Sequence, residues 1–293
     1  MIARTGYGQR SPMIAMKRRL LRGLALPAFF AGPAMAADLP VKAPPPPIPA
    51  AAAYNWTGFY VGLNAGGAWG TADPNTSATC NVSSAPGFSN PYFVCPAGAI
   101  VGAAGSGSMS NDAFIGGGQI GYNLQSNSAV YGMELDFDSF NLKTARQATG
   151  LESGTPFTIT SSLSTNWLFT ARGRVGWAFD SLLAYVTGGL AVTDLIGSNS
   201  YRDTGFAQGG PGGGTWTASE TKLGWTVGSG LEWSLARNWS AKVEYLYVKF
   251  GSLGASGSVI GTGGGGGGGY GSAINTSVDL TAQIARAGFN YKF

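Results

Sequence analysis

The segment Gly224–Gly251, GWTVGSGLEWSLARNWSAKVEYLYVKFG, alternates apolar and polar residues over nearly its whole length. Going up, Trp225, Val227, Leu231, Trp233 and Leu235 alternate with Thr226, Gly228, Gly230, Glu232 and Ser234. Coming back, Trp239, Ala241, Val243, Tyr245 and Tyr247 alternate with Ser240, Lys242 and Glu244. A period of two, carried by β-branched and aromatic residues, specifies strands and excludes a helix. A turn of about three residues at Ala236–Asn238 keeps the apolar faces in register and sets Glu232 opposite Lys242. One face therefore holds glycines and paired charges, and the other ends in tryptophans at the turn. That is the pattern of a barrel turned outside in, with apolar residues toward lipid and charges toward a lumen.

Composition points the same way. Only 11% of the 293 residues are charged and 48 are glycine, yet no run of eighteen apolar residues could form a membrane helix. Six of the 18 Lys and Arg lie before residue 37, whereas all 14 acids lie after it. Beyond residue 36 the charge is therefore −2, so the basic isoelectric point implies neither nucleic acid nor an anionic surface as partner. Lys17, Arg18, Arg19 and Arg22 make a basic n-region, the apolar stretch runs from Leu20 to Phe30, and Ala34-Met35-Ala36 stands before Ala37. This is a secretory signal over residues 1–36, cut between Ala36 and Ala37. Residues 1–15 add nothing to it and read as an over-long start. Residues 37–54 contain Pro44–Pro47, an extended periplasmic spacer.

From residue 55 to residue 293 the alternation defines eight strands of one barrel domain. They are Trp56–Gly70, Phe114–Leu124, Ala129–Phe140, Asn166–Phe179, Leu182–Thr193, the two arms of the hairpin, and Ser277–Phe293. Connections alternate long and short, with 71–111, 141–161, 196–218 and 252–276 read as loops. The expected fold is all-β: an eight-stranded antiparallel transmembrane barrel with short periplasmic turns and long extracellular loops. Aromatics sort into two belts, one near the short turns (Phe59, Tyr131, Trp177, Trp239) and one near the loops (Trp69, Phe137, Trp167, Trp225). Phe289, Tyr291 and Phe293 give the last strand an aromatic outer edge, the form of a C-terminal assembly signal. Thr281 and Gln283 interrupt the apolar series on that face, an imperfection that a bulge could accommodate.

The motifs AADLPVKAPPPP, WTGFYVGLNAGGAWG, YGMELDF, GLEWSLARNWSAKVEYLYVKFG and AGFNYKF together resemble the small outer-membrane immunogenic proteins of Gram-negative bacteria, over Ala37–Phe293. The resemblance implies an OmpA-like fold related to opacity-type proteins, an outer-membrane location, and recognition by the outer-membrane assembly machinery. It implies a surface antigen supporting envelope integrity or adhesion, with host or cell-wall contacts through the loops; a porin-like passive channel is the alternative. On this reading no OmpA-type peptidoglycan-binding domain is expected after the barrel.

The chain has no histidine. Hydrolases and proteases built on such barrels need an imidazole as base, so no enzymatic activity is expected. Haem capture, described within the family, would lack a histidine axial ligand, and no cofactor or metal is assigned. Glu134, Asp136, Arg172, Arg174, Glu232, Lys242 and Glu244 all fall on the inward face and read as a lumen ion-pair network. Cys80 and Cys95, the two cysteines of an exported chain, read as a disulfide in the first loop. Gly263–Gly269 reads as a surface loop and not as a phosphate cradle.

Overall fold

The computed structural model describes residues 54–81, 85–205, 210–262 and 269–293; the signal segment, most of the proline-rich segment and residues 263–268 lie outside them. Nine strands and one helix follow in order: β1 (Gly58–Ala78), α1 (Ala97–Gly105), β2 (Met109–Ser126), β3 (Ala129–Glu152), β4 (Thr155–Phe179), β5 (Leu182–Asp203), β6 (Gly212–Ser234), β7 (Trp239–Phe250), β8 (Leu253–Gly261) and β9 (Gly271–Lys292). Every pairing between these strands is antiparallel, and the sheet closes on itself. β1 pairs with β2 from Gly58↔Asn123 to Ala72↔Met109, and with β9 from Tyr60↔Lys292 to Ala78↔Ile274.

β7 lies between β6 and β9, while β8 continues the same place in the wall higher up. It pairs with β9 from Leu253↔Val278 to Ile260↔Gly271 and meets β6 only at Gly212–Gly213. β7 and β8 thus count as one position, split at Gly251–Ser252, and the ring has eight places. The short turns fall at Asn127–Ser128, Asp180–Ser181 and 235–238. Asn127 and Asp180 take positive φ values of 53° and 50°, which these residue types tolerate in tight turns.

Much of what the sequence reads as loop is strand. β1 runs on to Ala78, β3 and β4 continue to a turn at Ser153–Gly154, and β5, β6 and β8 occupy much of 196–218 and 252–261. The physical reason is an inversion of polarity along each strand. Between the aromatic belts, Tyr131, Met133, Leu135 and Phe137 are exposed while Glu134, Asp136 and Asp138 are buried. Above the outer belt, Ser139, Asn141 and Lys143 face out and Phe140 and Leu142 are buried. Lipid rewards apolar side chains outside the barrel, and water above it rewards them inside. A wall that crosses both environments changes pattern without changing conformation.

The same inversion accounts for β9. Alternation there is unbroken, with even-numbered residues inward from Ser272 to Asn290. Thr281 and Gln283 face outward as polar residues because they stand at or above the outer belt, so no bulge is needed. A register shift lies instead around Asn166 of β4, between Ser164 and Leu168 against β5 and opposite Ser139 to Leu142 of β3. Asp194 of β5 stabilises it, accepting from the Asn166 backbone N–H at 2.9 Å and from Asn166 Nδ2 at 2.6 Å.

Both belts are ordered by contacts within their own level. Phe137 and Trp167 stack at 5.9 Å and Trp225 lies 5.5 Å from Tyr247 in the outer belt. Phe59 meets Phe293 at 5.8 Å and Trp239 meets Tyr291 at 5.0 Å in the inner one. The aromatic edge of Phe289, Tyr291 and Phe293 runs along the lipid face of the closing seam, where Phe293 N donates to Phe59 O at 3.0 Å.

Candidate functional site: the lumen and its cap

The interior is layered from the short-turn end upward. Trp56 precedes β1 and turns inward instead of joining the wall. It is buried against Val130, Ala178, Leu183 and Tyr185, and its backbone N–H donates to Gln125 Oε1 at 2.7 Å. Tyr54 sits edge-on to it at 4.7 Å, under the Lys292 ammonium at 4.3 Å from the ring. This cluster closes the periplasmic mouth with apolar rings.

Next comes a layer of ions. Glu134 accepts from Arg172 Nη2 at 2.6 Å, Lys242 Nζ at 2.8 Å and Tyr60 Oη at 2.7 Å. Arg172 also reaches Asp136 at 3.1 Å and Glu244 at 3.0 Å. Arg174 pairs with Glu232 at 3.0 Å, between the rings of Tyr60 and Tyr185 at 4.9 and 5.2 Å. Arg286 completes the layer with Asp136 at 2.6 Å, Asp138 at 2.7 Å and Glu244 at 2.7 Å. Gly121 makes room for Tyr60: a Cβ there would fall 2.2 Å from the phenolic oxygen. Each carboxylate faces at least one cation and most are shared, which offsets the cost of burying charge in a narrow space.

All seven charges expected in the lumen lie in this layer, with one correction of partners. Glu232 and Lys242 are in register across the hairpin, but they do not pair. Lys242 is long enough to cross the lumen to Glu134, which Arg172 already polarises, and Glu232 turns to Arg174, Ser240 and Asn290 instead. The structure adds Asp138 and Arg286 to the set. Their parity with Asp136 and against Phe289 was readable; Arg286 was obscured because the terminal motif draws attention to its aromatic face. A double-mutant cycle checks the corrected pairing. In urea unfolding from vesicles, Lys242→Met with Glu134→Gln should show a coupling of about 0.5–3 kcal/mol. The same cycle with Glu232→Gln should be additive to within about 0.5 kcal/mol.

Above the ions the lumen turns apolar. Ile115, Phe140, Leu168, Ala191, Leu246 and Ile284, from six different strands, are each 0% exposed and form one cluster with their neighbours. Two hydroxyl pairs interrupt this apolar interior: Thr165 lies 2.6 Å from Thr193, between cluster members on both strands, and Thr76 lies 3.1 Å from Thr276. A second apolar cluster, with Phe93, Val101, Phe157, Tyr201 and Trp216 at its heart, fills the outer mouth.

Two of these residues come from a cap between β1 and β2. Cys80 and Cys95 are joined there, with their Cα atoms 5.4 Å apart. The Ser272 hydroxyl oxygen accepts from the backbone N–H groups of Tyr92 and Phe93, at 2.9 and 3.0 Å. α1 packs into the mouth through Val101 and Gly105; a Cβ on Gly105 would lie 2.8 Å from Thr76 Cβ, so a larger residue would push the helix away from β1. Thr76 Oγ1 donates to Gly105 O at 3.1 Å and Arg146 Nη1 to Ala104 O at 2.7 Å. Among the described residues no three His, Cys, Asp or Glu side chains are arranged to hold a metal ion.

Comparison with known proteins places this architecture. The outer membrane protein beta-barrel domain family matches residues 46–293. The 31 kDa outer-membrane immunogenic protein of Brucella melitensis is 34% identical over 80% of this chain and 88% of its own length. The 25 kDa outer-membrane immunogenic protein of Brucella abortus is 26% identical over 90% of this chain and 92% of its own. Among solved structures, OprG of Pseudomonas aeruginosa aligns over 82% of this chain and 99% of its own at 12% identity, with a TM-score of 0.38. A closed antiparallel barrel with a lipid-facing apolar band, matched over nearly its whole length, has one assignment: the chain belongs to the outer-membrane β-barrel family, among the outer-membrane immunogenic proteins of Gram-negative bacteria.

Proposed function

We propose that this outer-membrane protein is a structural, non-catalytic barrel that carries a capped surface beyond the outer leaflet, with host or cell-wall contacts made through that surface. The observation that carries this reading is the apolar layer across the lumen. A passive pore needs a continuous wet path, and side chains about fill an eight-stranded interior. Here Phe140, Leu168 and Leu246 occupy that interior above the ions, and Trp56 occupies the periplasmic mouth. The reading assigns no reaction, since the chain offers no histidine as base and its lumen carboxylates are committed to Arg and Lys. Its partners are outer-membrane lipid along the apolar band and the assembly machinery at Phe289, Tyr291 and Phe293.

A deletion strain tests this. Loss of the protein should sensitise cells to detergent and bile salts while uptake of small hydrophilic solutes is unchanged. Slowed uptake with an intact detergent barrier would instead favour the channel reading.

A further inference from the structure

Above the lipid, where β3, β5 and the cap meet, two carboxylates share one hydroxyl. Tyr201 Oη lies 3.0 Å from Glu152 Oε2 and 3.0 Å from Asp203 Oδ2. A phenol carries one hydrogen and can donate to only one of them. Asp203 is otherwise well served. Tyr92 Oη donates to its Oδ2 at 2.5 Å, and the backbone N–H groups of Gly205 and Gly212 donate to its Oδ1 at 3.0 and 2.8 Å. Among the described residues Glu152 has Tyr201 alone: it is 1% exposed, and its Oε1 is buried without a donor.

No ion pair relieves this among the described residues. β4 faces the cluster with Phe157 and Ile159, β6 with Trp216 and the cap with Tyr92 and Phe93. Arg202 lies on the opposite, exposed face of β5, and Arg146 is engaged with Ala104 O. A proton on Glu152 resolves the arrangement. Its O–H then donates to Tyr201 Oη, Tyr201 donates to Asp203, and Tyr92 brings the cap into the same chain.

We propose that Glu152, Tyr201, Asp203 and Tyr92 form a proton-operated latch that holds the cap on the extracellular mouth and releases it when Glu152 loses its proton. Tyr201 is well placed to transmit the change, because its ring lies 5.4 Å from Phe93 of the cap and 5.7 Å from Phe157 of the wall. Burial pushes the Glu152 carboxyl up to about 7, with the Asp203 charge adding to it and the Tyr201 hydrogen bond opposing it. The sign follows from linkage. The latched state binds the proton more tightly than an exposed glutamate does, so the latch is complete below the ordinary carboxylate range and is lost as pH rises through about 7.

Hydrogen exchange of the full chain folded in vesicles, corrected for intrinsic rates, reads the latch directly. From about pH 5 to about pH 9, protection of residues 90–105 should fall at least about tenfold, while β3 and β4 between the belts stay protected. Glu152→Gln, which carries a permanent donor, should hold the cap protected at both extremes. Tyr201→Phe should lower protection at both. Flat protection in the wild type, or an unchanged pH response in Glu152→Gln, would overturn the proposal. So would restoration of protection at high pH by millimolar calcium, which would make a cation, and not a proton, the ligand of these carboxylates.

Discussion

Arg172→Met is expected to lower the unfolding free energy of the barrel by roughly 3–5 kcal/mol, the range for removing one member of a buried ionic group. Arg172 binds Glu134, Asp136 and Glu244 at once, at 2.6, 3.1 and 3.0 Å, with no exposed side-chain surface. The layer already holds five carboxylates (Glu134, Asp136, Asp138, Glu232, Glu244) against four cations (Arg172, Arg174, Lys242, Arg286). Methionine fills much of the volume but leaves five negative groups facing three positive ones. Urea unfolding from lipid vesicles measures the loss, and adding Glu134→Gln to the variant should recover part of it. A loss under about 1 kcal/mol, the value for an exposed pair, would mean that water screens this layer and that the lumen is open.

The second large effect is on the outer face. Leu135 points into lipid between Tyr131 of the inner belt and Phe137 of the outer one. Leu135→Arg should cost about 2–4 kcal/mol, as a cation at the bilayer midplane does in such barrels. Thr160 also faces outward, on β4, but stands above the outer belt beside Gln147 and Ser200. Thr160→Arg should therefore change stability by no more than about 0.5 kcal/mol. Equal effects at the two positions would place the membrane boundary elsewhere on the wall.

That boundary also explains how far the sequence could be read. Within the lipid band, strands such as Tyr131–Phe137 alternate strongly because apolar side chains face hydrocarbon and charges face the lumen. Strand number, the short turns and the inward charges all follow from that contrast. Above the band the contrast weakens. In Pro156–Thr165 the outward residues are Thr158, Thr160, Ser162 and Ser164, and the inward ones include Ser161 beside Phe157, Ile159 and Leu163. Such a stretch looks like a polar loop, although it is paired on both sides. β8 escaped notice for the same reason, with Ser256, Gly257 and Ser258 in its middle.

Long-range partners were beyond reach by pattern alone. Alternation says that Lys242 points inward, but not that its amine crosses the lumen to Glu134, 108 residues away. Trp56 looked like the first residue of a strand because nothing local marks the inward turn its ring takes against Leu183. The cap was illegible because α1 is held by contacts with Thr76, Ile159 and Arg146, residues distant in sequence, and has no side-chain cap of its own.

The claim that most needs a direct measurement is that the lumen is sealed by its own side chains. Single-channel recording of the folded, full-length protein in planar bilayers tests it. The apolar layer of Phe140, Leu168 and Leu246 and the Trp56 cluster predict a quiet baseline at all moderate voltages. Large, stable openings of the wild-type protein would contradict the account.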